Sequence, residues 1–209
     1  MSVTAPQIVE PTDTAKRQQI LDGARRCFQS HGFDGASIND IVKDAGVSKG
    51  TVYAYFASKE KLFEALVYQD RRHQAEQSTI IMDDGRPTVE VLYDLGLSMV
   101  KLILSDESIA QVRTVVAVAD KFPEIGQSFY EAGPAFAIAK IAAYLASRMA
   151  AGELRQADPE LSAMQFIDVI SGCLHKPRLF NAQNLVKKRS AEEVVAAGVA
   201  LFLGGLALR

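Results

Sequence analysis

The chain contains no tryptophan, only two cysteines and only three histidines among 209 residues. Two thiols, Cys27 and Cys173, cannot staple a small secreted fold. Both fall within apolar helical patterns and are expected as small buried hydrophobes. With the three scattered histidines they also lack the four-ligand spacing of structural zinc, so no metal or cofactor site is expected. No apolar run reaches the roughly 20 residues that cross a bilayer. The most apolar stretch, Val194 to Leu208, falls short of that and follows Glu192 and Glu193. The opening MSVTAPQIVEPTDTAKR has no charged start followed by an apolar run, so it does not look like a secretory signal. A soluble cytoplasmic chain is expected, with no membrane partner. No Gly-rich phosphate loop and no nucleophile elbow is present, and no catalytic residue is assigned. Excess charge of one sign is missing too. Residues 1–75 carry ten Lys and Arg against nine Asp and Glu, and residues 76–209 thirteen against sixteen. Composition therefore gives no support for nucleic-acid binding, and any such case rests on local placement.

What is present is helix-forming pattern almost throughout, with 48% hydrophobic and 23% charged residues. No alternating strand pattern or hairpin turn stands out. Residues 1–13 hold two prolines and are expected to be a mobile tail. Ile20, Leu21, Ala24, Cys27 and Phe28 recur at three and four residues, predicting an amphipathic helix over 15–31 that Gly32 ends. Ser37, Ser48 and Ser58 are expected N-caps of three further helices, the last running towards Thr79. Asp83-Asp84-Gly85-Arg86-Pro87 is the clearest break. Beyond it, helices are expected near 88–104, 106–121, 123–132, 134–151, 159–175 and 190–207. Asp106 is an expected cap, Asp158-Pro159 a cap with Pro at the first helical position, and Ser190 with Glu193 a capping box. Lys176 to Arg189 is expected as a loop.

The informative stretch is SINDIVKDAGVSKGTVYAYF, from Ser37 to Phe56. Two short helices joined by a tight Gly-containing turn form a helix-turn-helix pattern. Gly46 tolerates positive φ, Ala45 is small enough for close approach, and Val47 fills the space between helices. Val52 and Phe56 are expected in the core with Ile38 and Ile41. Lys49 with Tyr53 and Thr51 with Tyr55, each pair four apart, then point outward. Lys and Tyr suit phosphates, Thr suits a base edge or methyl, and Gly50 permits close approach to a major groove.

On the residues ILDGARRCFQSHGFDGASINDIVKDAGVSKGTVYAYFASKEKLFEAL, Ile20 to Leu66, and above all AGVSKGTVYAYF followed by SKEKLF, the chain resembles the TetR/AcrR family of transcriptional regulators. The resemblance implies an all-α homodimer on a palindromic double-stranded DNA operator, with a C-terminal helical domain for a small-molecule effector and for dimerisation. It implies a DNA-binding domain over 14–74, with the helix-turn-helix at 37–56, and a ligand-binding and dimerisation domain over 75–209. Carried over by position, Ser48 to Phe56 is the recognition helix. Tyr53, Tyr55, Lys59 and Ser37 would contact phosphates, and Lys49, Gly50, Thr51 and Ala54 would approach base edges. Tyr55 stands where the family often has His, and Ala54 where an aromatic is common.

The second half is weakly marked, although RTVVAVADKFPEIGQSFYEAGP, Arg113 to Pro134, resembles C-terminal domains of some AcrR-like members. Tyr93, Leu97, Arg113, Phe129, Phe136 and Phe166 are candidates to line an apolar ligand cavity. Arg113 would meet an anionic ligand, pair with Asp120 or Glu124, or lie in solvent. His175 is expected as a surface group or cap before a pocket wall. The last helix is apolar nearly all round and needs burial on several sides. Its residues Val195, Val199, Phe202 and Leu206, with Met164, Ile167, Ile170 and Leu174, are expected to form a two-fold dimer interface. The leading expectation is a repressor that a small molecule releases from its operator, and two other readings compete with it. One is an all-α metal-dependent enzyme using Asp83-Asp84, or Asp120 and Glu124. The other is a small-molecule carrier that keeps the fold without DNA regulation.

Overall fold

The computed structural model describes residues 11–79 and 85–206. The chain divides into two compact units, Met1–Val67 and Tyr68–Arg209, and the division falls inside a helix. The sequence had suggested a division at 74/75 and its clearest break at 83–87, of which Asp83 and Asp84 lie outside the described residues. Among the described residues there is no strand.

In the first unit, α1 spans Pro11–Gly35, α2 Ile38–Ala45 and α3 Lys49–Tyr55, and α4, Lys59–Thr79, begins. Of the expected tail, residues 1–10 lie outside the described residues, whereas Pro11, Thr12 and Asp13 are helical. Proline at the start of a helix costs nothing, because its missing N–H has no intrahelical partner there. Gly32, at φ 68° and ψ 177°, breaks α1 and turns Phe33 into the core. Phe28, Phe33 and Phe63 meet there, with Phe63 4.9 Å from each of the other two ring centroids. Ile20, Leu21, Ile41, Val52 and Leu62 are fully buried around them, and Ile38 is half-buried.

The second unit holds the rest of α4, then α5 (Thr88–Ile103), α6 (Asp106–Ala119) and α7 (Pro123–Tyr130). A π-helical turn over Glu131–Ala135 joins α7 to α8 (Phe136–Ala150), followed by α9 (Pro159–Leu179) and α10 (Ala191–Leu206). The break expected at 132–134 is thus absent: the chain stays helical through Pro134 by widening one turn. Proline disrupts the usual i to i−4 bond, and a π turn accommodates that. Lys176 to Arg189 is likewise only partly a loop, since α9 runs to Leu179 and Gln183–Leu185 forms a 3-10 turn. Ser105, not Asp106, caps α6, its hydroxyl accepting from Ser108 N–H at 3.1 Å.

The core of this unit centres on Leu92, Leu95, Ile141, Leu145, Phe166 and Ile170, all fully buried. Two glycines bring α10 against its neighbours. A Cβ at Gly96 would lie 2.8 Å from Val195 Cγ1, and one at Gly198 would lie 3.2 Å from Ile170 Cγ2. Cys27 is buried as expected, and burial pushes its thiol pKa up. Cys173 is exposed, because the apolar pattern of α9 is wider than the stripe that packs. Among the described residues no helix is long and apolar enough to cross a membrane.

Candidate nucleic-acid interface and ligand cavity

The α2–α3 turn is held by local chemistry. Ser37 caps α2: its Oγ accepts from Asp40 N–H at 3.2 Å while Asp40 Oδ2 accepts from Ser37 Oγ–H at 2.5 Å and Ser37 N–H at 3.2 Å. These hydrogen bonds from Ser37 hold the Asp40 carboxyl below its ordinary range. Gly46 closes α2 in the left-handed region at φ 64° and ψ 37°. Only glycine takes that conformation without a Cβ clash. Ala45 does approach another helix closely, but the partner is α1. A Cβ at Gly23 would lie 2.5 Å from Ala45 Cα, so Gly23 is what admits it. Gln19 Nε2 and Arg26 Nη2 then donate to the α2-end carbonyls of Ala45 at 2.8 Å and Asp44 at 2.6 Å.

Ser48 caps α3, accepting from Thr51 N–H at 3.0 Å and lying 2.7 Å from Thr51 Oγ1. Val52 and Phe56 are buried, while Lys49, Gly50, Tyr53 and Ala54 are exposed and Thr51 and Tyr55 half-buried. Tyr53 is 48% exposed. Two expected phosphate contacts are placed differently. Lys59 Nζ donates to the carbonyls of Phe33 at 2.8 Å and Ala36 at 3.1 Å and lies 4.5 Å from the Phe33 ring centroid. It therefore ties the start of α4 to the end of α1. The hydroxyl of Ser37 is committed to its capping box.

In the second unit a cavity of about 400 Å³ opens among α4, α5, α6, α7, α8 and α9 and the π turn. Of the six expected lining residues, Phe129 is there. Tyr93 lies in a separate groove beside Ala196 and Ala200. Leu97 packs on the core, and Phe166 is inside it, 5.2 Å from the Phe202 ring. Phe136 carries the Arg72 guanidinium at 3.6 Å from its centroid. Arg113 donates to Leu179 O at 2.9 Å, Arg178 O at 2.8 Å and Asn181 Oδ1 at 2.7 Å, capping the end of α9 and pairing with neither Asp120 nor Glu124. A cation is favoured at a helix C-terminus, whose carbonyls lack intrahelical donors.

The residues that sequence reading missed are Arg71, Ser108 and the Gly133–Pro134 turn, all in the wall. Arg71 is buried; its Nη1 donates to Ser108 Oγ at 2.9 Å and its Nη2 to Ser108 O at 3.1 Å. Desolvation lowers its pKa to about 10. In sequence it is one of two adjacent arginines, and no local signal distinguishes it from Arg72. His175 also lines the cavity, held towards its neutral form by burial and then by Arg71. Among the described residues no three His, Cys, Asp or Glu side chains gather as a metal site. Asp83 and Asp84, named for an enzymatic alternative, lie outside those residues.

Burial covers five of the eight expected dimer residues and leaves Met164 42% exposed. Ile170, Val195, Val199, Phe202 and Leu206 are in the single-chain core, and Leu174 packs on it. Met164 and Ile167 line the cavity. Because α10 is apolar all round, period alone could not say which side its own chain covers. The side left open carries Ala196, Ala197, Ala200, Leu201, Gly204 and Gly205, with Leu201 70% exposed. On α9, Leu161 is 51% exposed.

Comparison with known proteins follows this division. Residues 20–66 match the family described as bacterial regulatory proteins, tetR family. Residues 90–205 match the C-terminal domain of AefR-like transcriptional repressors. A transcriptional repressor named AcnR from Corynebacterium diphtheriae is 40% identical over 80 residues, 38% of this chain and 40% of that protein. The Escherichia coli regulator UidR is 44% identical over 55 residues, 26% of this chain and 28% of that protein. The chain thus spans less than half the length of these curated relatives. Among solved structures, a TetR-family regulator from Mesorhizobium loti superposes with TM-score 0.86 at 25% identity, covering 95% of this chain and all of that one. The flavonoid-responsive regulator FrrA superposes with TM-score 0.80 at 28% identity, covering 94% and 99%.

Proposed function

Since the chain belongs to the TetR family of bacterial regulatory proteins and carries the C-terminal domain of its AefR-like repressors, we propose that it is a homodimeric, sequence-specific DNA-binding repressor. It works in the cytoplasm by binding rather than by catalysis. A small molecule in the cavity of the second unit releases it from a palindromic duplex operator.

The observation that carries this reading is the outward face of α3. Lys49, Gly50, Thr51, Tyr53, Ala54 and Tyr55 stand on a seven-residue helix that is capped at its start, buried along Val52 and set by the Gly46 turn. Tyr53 and Tyr55 grip phosphates. Lys49, Gly50, Thr51 and Ala54 approach base edges in the major groove. Lys59 and Ser37 act indirectly, by fixing the framework around α3. The open face of α10, with Leu201 at its centre, supplies the two-fold contact. The named relatives support repression, and FrrA's description as flavonoid-responsive supports control by a small molecule.

Release follows from linkage. Helix α4 contributes Lys59 to the first unit and Arg71 to the cavity wall of the second. A ligand that favours one position of α4 shifts operator affinity by its differential binding to the two states, typically about 1–3 kcal/mol.

Selection of the purified protein against a random duplex library tests the reading. A two-fold symmetric consensus with half-sites about 34–36 Å apart, or a multiple, is expected. Affinity for that consensus should fall steeply with salt as counterions leave the phosphates. No consensus, with unchanged folding, would favour the carrier that keeps the fold without DNA regulation.

A further inference from the structure

The cavity has one property that an apolar pocket does not need. Arg71 is 7% exposed, and every acceptor it meets is neutral: Ser108 Oγ, Ser108 O and Gln74 Oε1, the last at 3.1 Å. Its Nε is buried without a partner. Among the described residues no carboxylate forms an ion pair with it, and Asp70 and Glu107 act on it only through space. With a pKa of about 10 it remains charged at neutral pH. A buried charge with an unmade hydrogen bond is costly, and native structures rarely keep one without a use.

The surroundings limit what could complete it. Arg71 is the one Lys or Arg among the lining residues, and burial and then Arg71 shift His175 on the same wall towards its neutral form, so Arg71 is the main cation there. Asp168, also among the lining residues, is exposed, so solvent screens its charge. Met99, Leu102, Ile103, Ile138 and Phe129 supply most of an apolar wall that Gln74, Ser171 and His175 interrupt, and the Phe129 ring lies 4.5 Å from the Arg71 guanidinium carbon. The π turn brings backbone to the same spot: a Cβ at Gly133 would lie 3.5 Å from Arg71 Cβ and Cδ. Single π turns inside α-helices are frequent at functional sites.

We propose that the effector is an amphipathic organic monoanion, a carboxylate on an aliphatic or aromatic body. Its carboxylate meets the guanidinium of Arg71, and its body fills the apolar remainder of the cavity. This rests on the ligand-released reading above and specifies its ligand class. A guanidinium matches a carboxylate in geometry, and hydrogen bonds between ions are shorter and stronger than neutral ones. A dianionic phosphate would bring a second charge that one guanidinium leaves unmatched.

Calorimetric titration of the full chain with matched pairs tests this: octanoate against octanol, phenylbutyrate against phenylbutanol, naphthoate against naphthalenemethanol. At least one acid should bind roughly tenfold to a hundredfold tighter than its alcohol. Arg71→Met should abolish the preference while Arg71→Lys keeps part of it. Equal affinity for acid and alcohol, or no saturable binding by any acid, overturns the inference without recourse to a variant. So does a folded Arg71→Met protein that keeps the preference. Duplex binding is measured separately on ligand-free protein. Its loss overturns the repressor reading and leaves the carboxylate preference standing, and the converse result separates the two the other way.

Discussion

Tyr53 and Thr51 lie two residues apart on α3 yet carry opposite predictions. Tyr53 is half out in solvent, where its phenol suits a phosphate oxygen, and phosphates carry no sequence information. Tyr53→Ala should weaken binding to consensus and scrambled duplexes by a similar factor in fluorescence anisotropy. A change of sequence preference with little loss of affinity would reassign it to base contact. Thr51, half-buried beside the Ser48 hydroxyl, should behave in reverse: Thr51→Val alters the selected consensus at one position in each half-site. Asp40 makes a pH prediction. Hydrogen bonds from Ser37 depress its folded pKa below the ordinary 3.8. A depressed carboxylate stabilises the fold above its unfolded pKa, and that stability is lost as pH falls through the folded value. Thermal melts should therefore show wild type losing stability relative to Asp40→Asn as pH drops below about 4. A constant difference between the two down to pH 2 would remove this role.

At the scale of elements, seams between helices depend on missing side chains. The α1–α2 seam closes over Gly23 because Ala45 leaves no room for a Cβ there. Backbone atoms cannot rotate away as a side chain can, so Gly23→Ala should destabilise the first unit by about 1–3 kcal/mol in chemical denaturation. An unchanged midpoint would mean the helices part without cost. Helix-forming pattern and caps were legible here: Ser48, Ser58, Asp158 and the Ser190–Glu193 box each close the helix start they were expected to close. Gly32 and Gly46 were legible for a related reason, that glycine takes a positive φ at the least steric cost. Continuity through Pro134 was not, since a π turn leaves no residue signature distinct from a break.

For the whole molecule, the proposed homodimer turns on which side of α10 its own chain leaves uncovered. Val195 is fully buried in its own chain, and Leu201 is 70% exposed. If the proposed two-fold contact lies there, Leu201→Glu should give a monomer in analytical ultracentrifugation that keeps its helical signal, and should lower operator affinity because the half-sites are then read one at a time. Val195→Glu should unfold the second unit, since it buries an unpaired carboxylate. If Leu201→Glu stays dimeric and bound to DNA, the two-fold contact lies elsewhere.

The helices, their caps, the Gly46 turn and the outward stripe of α3 follow from residues close in sequence. Their physics is local: a φ angle, a capping hydroxyl, a spacing of three or four. The cavity and the free face of α10 follow from contacts between residues far apart. Arg71 reaches Ser108, and Arg113 reaches the end of α9, in each case across a separation that periodicity does not encode. An apolar stripe states that a face must be covered, not by what. Packing alone therefore decided that Val199 and Phe202 belong to the core, that Met164 and Ile167 line a cavity, and that one buried guanidinium stands in its wall.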